Sequence, residues 1–395
     1  MRAGKYCRSD NQVRLYVGGL GLQGDGYPNA VRTVELLQEM EGIEVIQCGS
    51  WLPDDLHLWK LPHMPRARAV RWLSTLVLGN LRSLFRVIGQ IRKVPGPVYV
   101  PYPGIFFLLW ASLLPSAWRP YCIVDSYISI WDSMFRDRAG NKSRSRSSRA
   151  LRWLESRALR AASRVLVDTD ANRDAFIQEF GLDPSRVDSI PLAIDETRIL
   201  VSPPLAPRDD AGRIRVLFVG TLIPLHGISV VLDAFARLVD DARYEFRLIG
   251  TGQQAQLVAD FMAAHPPARI EWIQKWCTLD QIASEILKAD ICLGVFGGEG
   301  KASRVLPFKL YMYFASARAV ISQSQLSTPG GVPLPPIEAV SPIRGIELAQ
   351  AINHLADNPM RRARLQAEAA AYYRRWLANS HVTSIWRDML ATRSW

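Results

Sequence analysis

Several things are scarce in this sequence, and each scarcity removes a class of function. The five cysteines, Cys7, Cys48, Cys122, Cys277 and Cys292, are scattered, with no C-x-x-C pair and no metal-ligand spacing to histidine. They are expected to be reduced core thiols of a cytosolic protein, without a disulfide framework or a metal site. No apolar stretch precedes the first strand, which argues against a secretory signal. The longest apolar candidate, Val98 to Pro115, is broken by Pro101, Pro103 and Gly104. It divides better into a strand and a short helix than into a membrane span. Acid is missing from two segments. Lys60 to Lys93 has eight basic residues and no carboxylate, and Arg136 to Arg164 has ten against Asp137 and Glu155. Together they outweigh the whole chain's net charge of +11, so the rest is slightly acidic. An anionic surface met by one half of the molecule is the expectation.

What is present is a folded chain of 395 residues, 48% hydrophobic and 22% charged, too long for one compact core. Val13 to Val17 reads as a first strand, followed by Gly18-Gly19-Leu20-Gly21-Leu22-Gln23-Gly24. This contains a literal G-x-G-x-x-G, but Asp25-Gly26-Tyr27-Pro28 separates it from the periodic run Ala30, Val31, Val34, Leu37. The next strand, Ile43 to Ile46, ends in Gln47-Cys48 where a dinucleotide fold places an acid. A glycine-rich loop lining a cleft is the better reading. Arg68 to Lys93 has apolar residues three or four apart with arginines on its other faces, an amphipathic basic helix interrupted at Gly79. It either docks on the sheet with solvated arginines or meets a membrane.

Strands at Val98 to Pro101 and Tyr121 to Val124 follow, the second delivering Asp125-Ser126-Tyr127, with Asp132, Asp137 and Arg138 close behind. Gly140 to Arg149 is Ser/Arg-rich and reads as a mobile loop. Asp168-Thr169-Asp170 after the Val165 to Val167 strand reads as a helix cap before it reads as a metal chelate. Glu196 to Arg213, with Pro203, Pro204 and Pro207, is the linker. Alternation then restarts, with strands near 215–219, 245–249, 270–273 and 290–296. Between them come helices, one opened by Thr278 and Gln281 at capping-box spacing. The stretch Gly294 to Ser322 is a strand, a small-residue loop, a helix from Pro307 to Ala317 and another strand. Lys301, Arg304 and Lys309 crowd that helix start, where free N–H groups favour an anion. Two doubly wound α/β domains facing a cleft are predicted: 1–195, a linker 196–213, 214–375, and a C-terminal helix 376–395 packing back on the first domain.

The motifs of the second half resemble the nucleotide-binding domain of the retaining, GT-B-fold, family 4 glycosyltransferases. Val219-Gly220-Thr221 with His226-Gly227 is similar to the family's G-R-L-x-x-x-K-G. Leu248 to Gly252 resembles its strand ending in G-x-G, Pro191 to Asp195 its exit from the first domain, and Met312 to Ile321 its E-A-M-A-x-G-x-P-V-I. The runs GTLIPLHG, LGVFG and VLPFKLY are similar to bacterial surface-polysaccharide (exopolysaccharide and lipopolysaccharide) members. The resemblance implies a GT-B fold of two Rossmann-like domains and transfer of a sugar from a nucleotide diphosphate sugar with retention. It also implies no metal or other cofactor, and a glycan or polyprenyl-diphosphate-linked acceptor. The place implied is the cytoplasm, peripheral on the inner face of the cytoplasmic membrane, with 66–93 and 136–164 on anionic lipid and no specific nucleic acid.

The departures from the family carry information. Its diphosphate-gripping Arg and Lys are Thr221 and His226 here, and its E-x7-E pair falls on Arg304 and Met312. A sugar diphosphate still needs charge-assisted donors, so the grip is expected at Lys301, Arg304 and Lys309, with His226 as a neutral or protonated donor. The donor set implied is Gly19, Gly220, Thr221, His226, Gly227, Gly250, Gly252, Trp276, Glu299 and those three cations. Glu299 with backbone would hold the ribose, and Trp276 is either a platform for the base or a core residue. Asp125, then Asp132, are the candidate catalytic carboxylates, their alternative roles being caps and buried hydrogen bonds. A non-catalytic binding or scaffold protein, and a sugar-nucleotide epimerase, stay open as other readings.

Overall fold

The computed structural model describes residues 12–23, 28–53, 65–137, 145–199, 212–265 and 269–391. Gly24-Asp25-Gly26-Tyr27 of the glycine-rich insertion, Lys60, Arg138, the first half of the Ser/Arg-rich run and the centre of the Pro-rich linker lie outside them.

Contacts divide the chain into two units, residues 1–167, 175–188 and 383–395 in one, 168–174 and 189–382 in the other. The first is built on a six-stranded sheet. Its strands are β1 (Val13–Val17), β3 (Ile43–Gln47), β5 (Val98–Val100), β6 (Cys122–Asp125), β7 (Arg164–Val167) and β8 (Val187–Ser189), in the order β3-β1-β5-β6-β7-β8. A two-stranded parallel ribbon, β2 (Leu20–Gly21) with β4 (Ser50–Trp51), stands apart. The helices are α1 (Pro28–Glu39), α2 (Arg66–Ile91), α3 (Ile105–Ala111), the short α4 (Ile130–Asp132), α5 (Arg146–Ala161) and α6 (Asp170–Phe180). Pairs β1–β3, β1–β5, β5–β6 and β6–β7 run parallel. The inner strands β5 and β6 are accordingly buried throughout, whereas β3 at the edge is only partly buried. Val98, Val100, Cys122, Val124, Val165 and Val167 form the sheet's share of the core.

Gly79 does not interrupt α2, which is one helix of 26 residues. A Cβ at Gly79 would press on the Leu20 side chain at 2.5 Å, so the glycine is there for close approach, and its helix-propensity cost is borne by packing. The Ser/Arg-rich stretch is also corrected, because from Arg146 it is the first turn of α5. Ser145 caps that turn by accepting from the Ser148 amide.

The second unit repeats the plan with β9 (Ile214–Val219), β10 (Tyr244–Ile249), β11 (Ile270–Ile273), β12 (Ile291–Leu293), β13 (Ala319–Gln323) and β14 (Glu338–Val340), in the order β11-β10-β9-β12-β13-β14. All of its pairs are parallel. Around it lie α7 (Ile228–Leu238), α8 (Ala255–Ala264), α9 (Leu279–Lys288), the four-residue α10 (Lys301–Arg304), α11 (Phe308–Ala315), α12 (Gly345–Asp357), α13 (Pro359–Tyr372) and α14 (Asn379–Ala391). The Thr278–Gln281 capping box forms as the spacing predicts, each side chain meeting the other's amide. The predicted strand to Phe296 stops at Leu293, the predicted helix from Pro307 forms as α11, and the predicted loop before it contains the extra turn α10. The far end of α14 counts with the first unit, where Trp386 sets its ring edge-on to Tyr99 at 5.6 Å.

Candidate functional site

In the second unit the carboxyl ends of β9, β10 and β12 carry the glycines that the motifs single out. Gly220, with φ +154°, leaves β9 in a conformation L side chains rarely adopt. A Cβ there would also lie 3.0 Å from the His226 ring and 3.3 Å from Lys309 Nζ. Gly227, with φ +65°, caps α7 in the left-handed region while the Phe296 amide bonds the His226 carbonyl at 3.2 Å. Gly250 donates to the Ile273 carbonyl at 3.1 Å and accepts from Trp272 Nε1 at 2.9 Å. Gly252 stands against the Leu222 backbone and the Thr221 methyl group. The turn 220–227 is thereby closed on itself and on the next strand.

His226 is fixed by one bond. Its Nδ1 meets the Thr221 carbonyl, which can only accept, so Nδ1 carries the hydrogen and Nε2 the lone pair of the neutral ring. Desolvation first, and then the neighbouring Lys309, hold its pKa well below the ordinary histidine value, against the bond to Thr221. At neutral pH His226 therefore offers an acceptor at Nε2. It becomes a donor there only when a bound anion recruits a proton, which removes the neutral-donor role predicted for it.

Lys309 is the group this turn is arranged around. It sits in the first turn of α11, 5% exposed, with Nζ 4.1 Å from the Phe218 ring centroid. Among the described residues Nζ has no hydrogen-bond partner. Desolvation lowers its pKa far below the usual lysine value. A buried ammonium without an acceptor is costly unless something supplies negative charge. The free N–H groups opening α11 reinforce the same demand.

The three predicted cations divide. Lys301 and Arg304, half-buried in α10, act on Asp168, whose carboxyl burial pushes up to about 6. The Asn172 amide, bonded to Asp168 at 2.7 Å, and the two cations oppose that rise. The D-T-D motif is thus not an aspartate cap. Thr169 caps α6 by accepting from the Asn172 amide at 3.2 Å, and its hydroxyl donates to the Arg304 carbonyl. Glu299 is exposed on the loop between β12 and α10. That loop is clamped by Gln323, which accepts from the Gly298 amide at 2.9 Å and donates to the Gly298 carbonyl at 3.2 Å. Gln323 ends β13 fully buried, a polar side chain closing an apolar strand, and that break in the run is the signal that could have found it.

Trp276 is 54% exposed, which removes the core reading for it. Met312 is buried within α11 between Tyr311, whose hydroxyl accepts from the Leu192 amide, and Tyr313, whose hydroxyl accepts from the Val219 amide. The helix is held by tyrosines on both sides, and Met312 packs as a core residue.

In the first unit Asp125 ends β6, fully buried. It accepts from Tyr99 Oη at 3.1 Å, Asn29 Nδ2 at 3.5 Å and the Tyr127 amide at 3.5 Å. Burial, then the nearby Asp125 charge, drives the Tyr99 pKa well above its usual value. Asp132 lies in α4, its amide donating to Ser129 Oγ at 3.0 Å. Glu155 of α5 holds the start of α4, accepting from the Ile130 and Trp131 amides at 2.9 Å each and from Ser129 Oγ at 3.1 Å. Burial raises its pKa to about 7 in spite of those bonds. Glu155 was legible as the one acid on the apolar face of a basic helix. Gly19 is committed already, because its amide donates to Ser83 Oγ at 2.7 Å and the Leu20 amide to Asn80 Oδ1 at 3.1 Å. The Gly19 and Leu20 amides are thus bonded to α2 side chains, and Gly24, the last glycine of the G-x-G-x-x-G, lies outside the described residues.

Among the described residues no cluster of His, Cys, Asp and Glu could hold a metal ion, and no helix is long and apolar enough to cross a membrane.

Residues 10–193 match the family described as Glycosyl transferase 4-like domain. No curated protein sequence matches the chain. Solved structures of GT-B enzymes share its fold along nearly the whole length. HepE of Anabaena in complex with UDP has 12% identity and a TM-score of 0.66, covering 97% of this chain and 100% of its own. Sucrose-phosphate synthase of Thermosynechococcus elongatus has 14% identity and 0.65 over the same shares. WaaG, a glycosyltransferase involved in lipopolysaccharide biosynthesis, has 12% identity and 0.59, covering 96% and 100%.

Proposed function

We propose, from the premise that the chain belongs through residues 10–193 to the glycosyltransferase 4-like family and is a glycosyltransferase using a nucleotide sugar, that Lys309 grips the donor diphosphate. The single observation carrying this is the buried Lys309 Nζ, without a hydrogen-bond partner among the described residues, beside the Gly220 turn at the head of α11. A diphosphate oxygen supplies the acceptor that site lacks. His226, taking a proton at Nε2 as the anion arrives, adds a second donor. Charge-assisted bonds of this kind gain most where charge grows on the leaving phosphate. Lys301 and Arg304 balance Asp168 and set the field at the loop that ends in α10. HepE has been solved with UDP and with UDP-glucose, so a uridine diphosphate hexose is the donor put first. Exposed Trp276 is the proposed platform for the base, with Glu299 and loop backbone for the ribose.

Transfer retains configuration. The bond from C1 to the diphosphate oxygen breaks, the acceptor oxygen bonds C1 from the same face, and the acceptor's proton passes to the departing phosphate. Asp125, with Asp132 second, contacts the reacting sugar or orients the acceptor. A glycan or polyprenyl-diphosphate-linked acceptor in bacterial polysaccharide synthesis fits the likeness to WaaG. The arginines of 66–93 and 136–164 would hold the enzyme on the inner face of the cytoplasmic membrane by charge.

A thermal-shift panel of nucleotides and nucleotide sugars tests the donor, because a ligand of the folded state raises the melting midpoint. UDP and one UDP-hexose should raise it in the native protein and not in Lys309→Ala. An equal shift in both sinks the Lys309 grip. Binding without any turnover or hydrolysis would leave a non-catalytic sugar-nucleotide protein.

A further inference from the structure

Among the described residues, every exposed large hydrophobic side chain of the first unit lies on α2, α5 or the segment from α3 to Trp118, eight of the thirteen in the described molecule. These pieces form one layer. Trp110 Nε1 of α3 donates to the Val77 carbonyl of α2 at 2.9 Å, and Arg157 Nε of α5 donates to Ser112 Oγ at 3.2 Å. On α5 the exposed residues Arg146, Arg149, Trp153 and Arg157 fall at i, i+3, i+7 and i+11, a single outward stripe opposite buried Glu155 and Ala158. On α2 the exposed Arg71, Leu78, Arg82 and Phe85 do the same opposite Leu76, Ser83 and Val87. Leu113 and Trp118, in the segment that follows α3, are 62% and 65% exposed.

From this we infer that the outer face of the α2–α3–α5 layer is an insertion surface for an anionic bilayer, with Trp118, Trp153, Phe85 and Leu113 entering the acyl boundary. The inference rests on the charge-held membrane reading above and adds depth and orientation to it. Two facts select this occupant. The three elements hold one acid, Glu155, and it faces inward, so the outer face repels a basic partner and attracts a uniformly negative one. Its protruding groups are tryptophan, phenylalanine and leucine interleaved with arginine, the set that settles at a lipid headgroup level. A nucleic acid would meet the arginines, but Leu78, Leu113 and Phe85 offer base edges no hydrogen bond. The Arg157 guanidinium lies over the Trp153 ring, 6.0 Å from its centroid.

The test uses the full chain and vesicles of equal parts phosphatidylcholine and phosphatidylglycerol. The native protein should float with them, keep part of its binding at high salt, and show tryptophan quenching when the acyl chains are brominated. The double variant Trp118→Ser, Trp153→Ser, altered only at exposed positions, should melt as the native protein does. It should bind about tenfold or more weakly, as loss of two inserted aromatic rings requires, and most of the quenching should vanish. Equal binding and unchanged quenching in the double variant overturn insertion while leaving the charge-held reading intact, provided salt abolishes flotation. Absence of flotation at low salt overturns both. Equal flotation with pure phosphatidylcholine overturns the anionic partner, and tighter binding to an RNA duplex than to the vesicles gives the face to nucleic acid.

Discussion

Lys309 Nζ hangs 4.1 Å from the centroid of the Phe218 ring and, among the described residues, meets no acceptor. An aromatic face is a weak substitute for water around an ammonium. The resting protein is therefore less stable for having a lysine here, as expected where a site is built for a ligand that brings the missing charge.

Lys309→Met should separate stability from function. Methionine fills the same channel without a charge to desolvate, so the unfolding free energy should rise by roughly 1 kcal/mol or more. Donor affinity should fall about tenfold or more with the loss of a charge-assisted bond. Denaturant melts and a nucleotide titration on one preparation check both signs. A variant that is less stable and binds UDP normally would refute the assignment.

Protonation gives the site a pH signature. His226 has a depressed pKa in the folded state, so the unfolded chain binds its proton first, and stability from this group is present above about 6.5 and lost as pH falls below it. Bound diphosphate should lift the pKa of His226 and of Lys309, drawing protons from solution. Calorimetry of UDP binding in two buffers of different ionisation enthalpy should register proton uptake. His226→Gln should reduce it.

Glu155 acts in the opposite window. Its folded pKa of about 7 lies above the ordinary carboxylate value of 4.5, so the native state holds a proton that the unfolded chain has lost. Stability from this group is highest below 4.5, falls as pH rises through 7 and is flat above. The advantage of the native protein over Glu155→Gln should shrink across that interval in paired thermal melts. A difference that stays constant with pH would mean the carboxyl is not titrating there.

Asp125→Asn should cut turnover by about a hundredfold, the size expected when a positioned carboxylate is lost from the reaction. The donor KM should barely move. Tyr99→Phe removes the 3.1 Å bond and leaves the carboxylate, so its effect on turnover should be much smaller. A drop below about threefold in Asp125→Asn, with a lower melting point alone, would leave Asp125 as a buried bracket for Tyr99 and Asn29.

Gln323→Ala should free the loop after β12 from its two bonds to Gly298. The cost to folding is about 1 kcal/mol. A donor KM raised several-fold, with turnover little changed, would place this clamp in ground-state binding, and steady-state kinetics decide it.

Strand and helix alternation was legible because parallel strands buried on both faces leave continuous apolar runs, as at Val98–Val100 and Ile214–Val219. The capping box at Thr278 was legible because both partners are local. What sequence could not reveal is tertiary in origin. Gly79 looks like a helix breaker until Leu20 is found against it, and Thr169 looks like a spacer until it caps α6. Lys301, Arg304 and Lys309 lie within nine positions of one another, yet the two partners that divide them, Asp168 and Phe218, come from distant strands. Glu155 and Gln323 answer to amides far along the chain, so spacing could mark them only as anomalies on apolar faces.

Helix α2 spans about 39 Å at 1.5 Å per residue, and its grip on the Gly19–Leu20 loop comes through Gly79, Asn80 and Ser83, past its midpoint. Most side chains from Arg66 to Thr75 are exposed. In mechanical terms α2 is a cantilever clamped beyond its centre, with six residues of overhang before Trp72 packs against the Leu20–Leu76 cluster. A load on the overhang becomes a torque at the clamp and is felt by the Gly19 amide, whereas shortening the overhang by a turn leaves the clamp undisturbed.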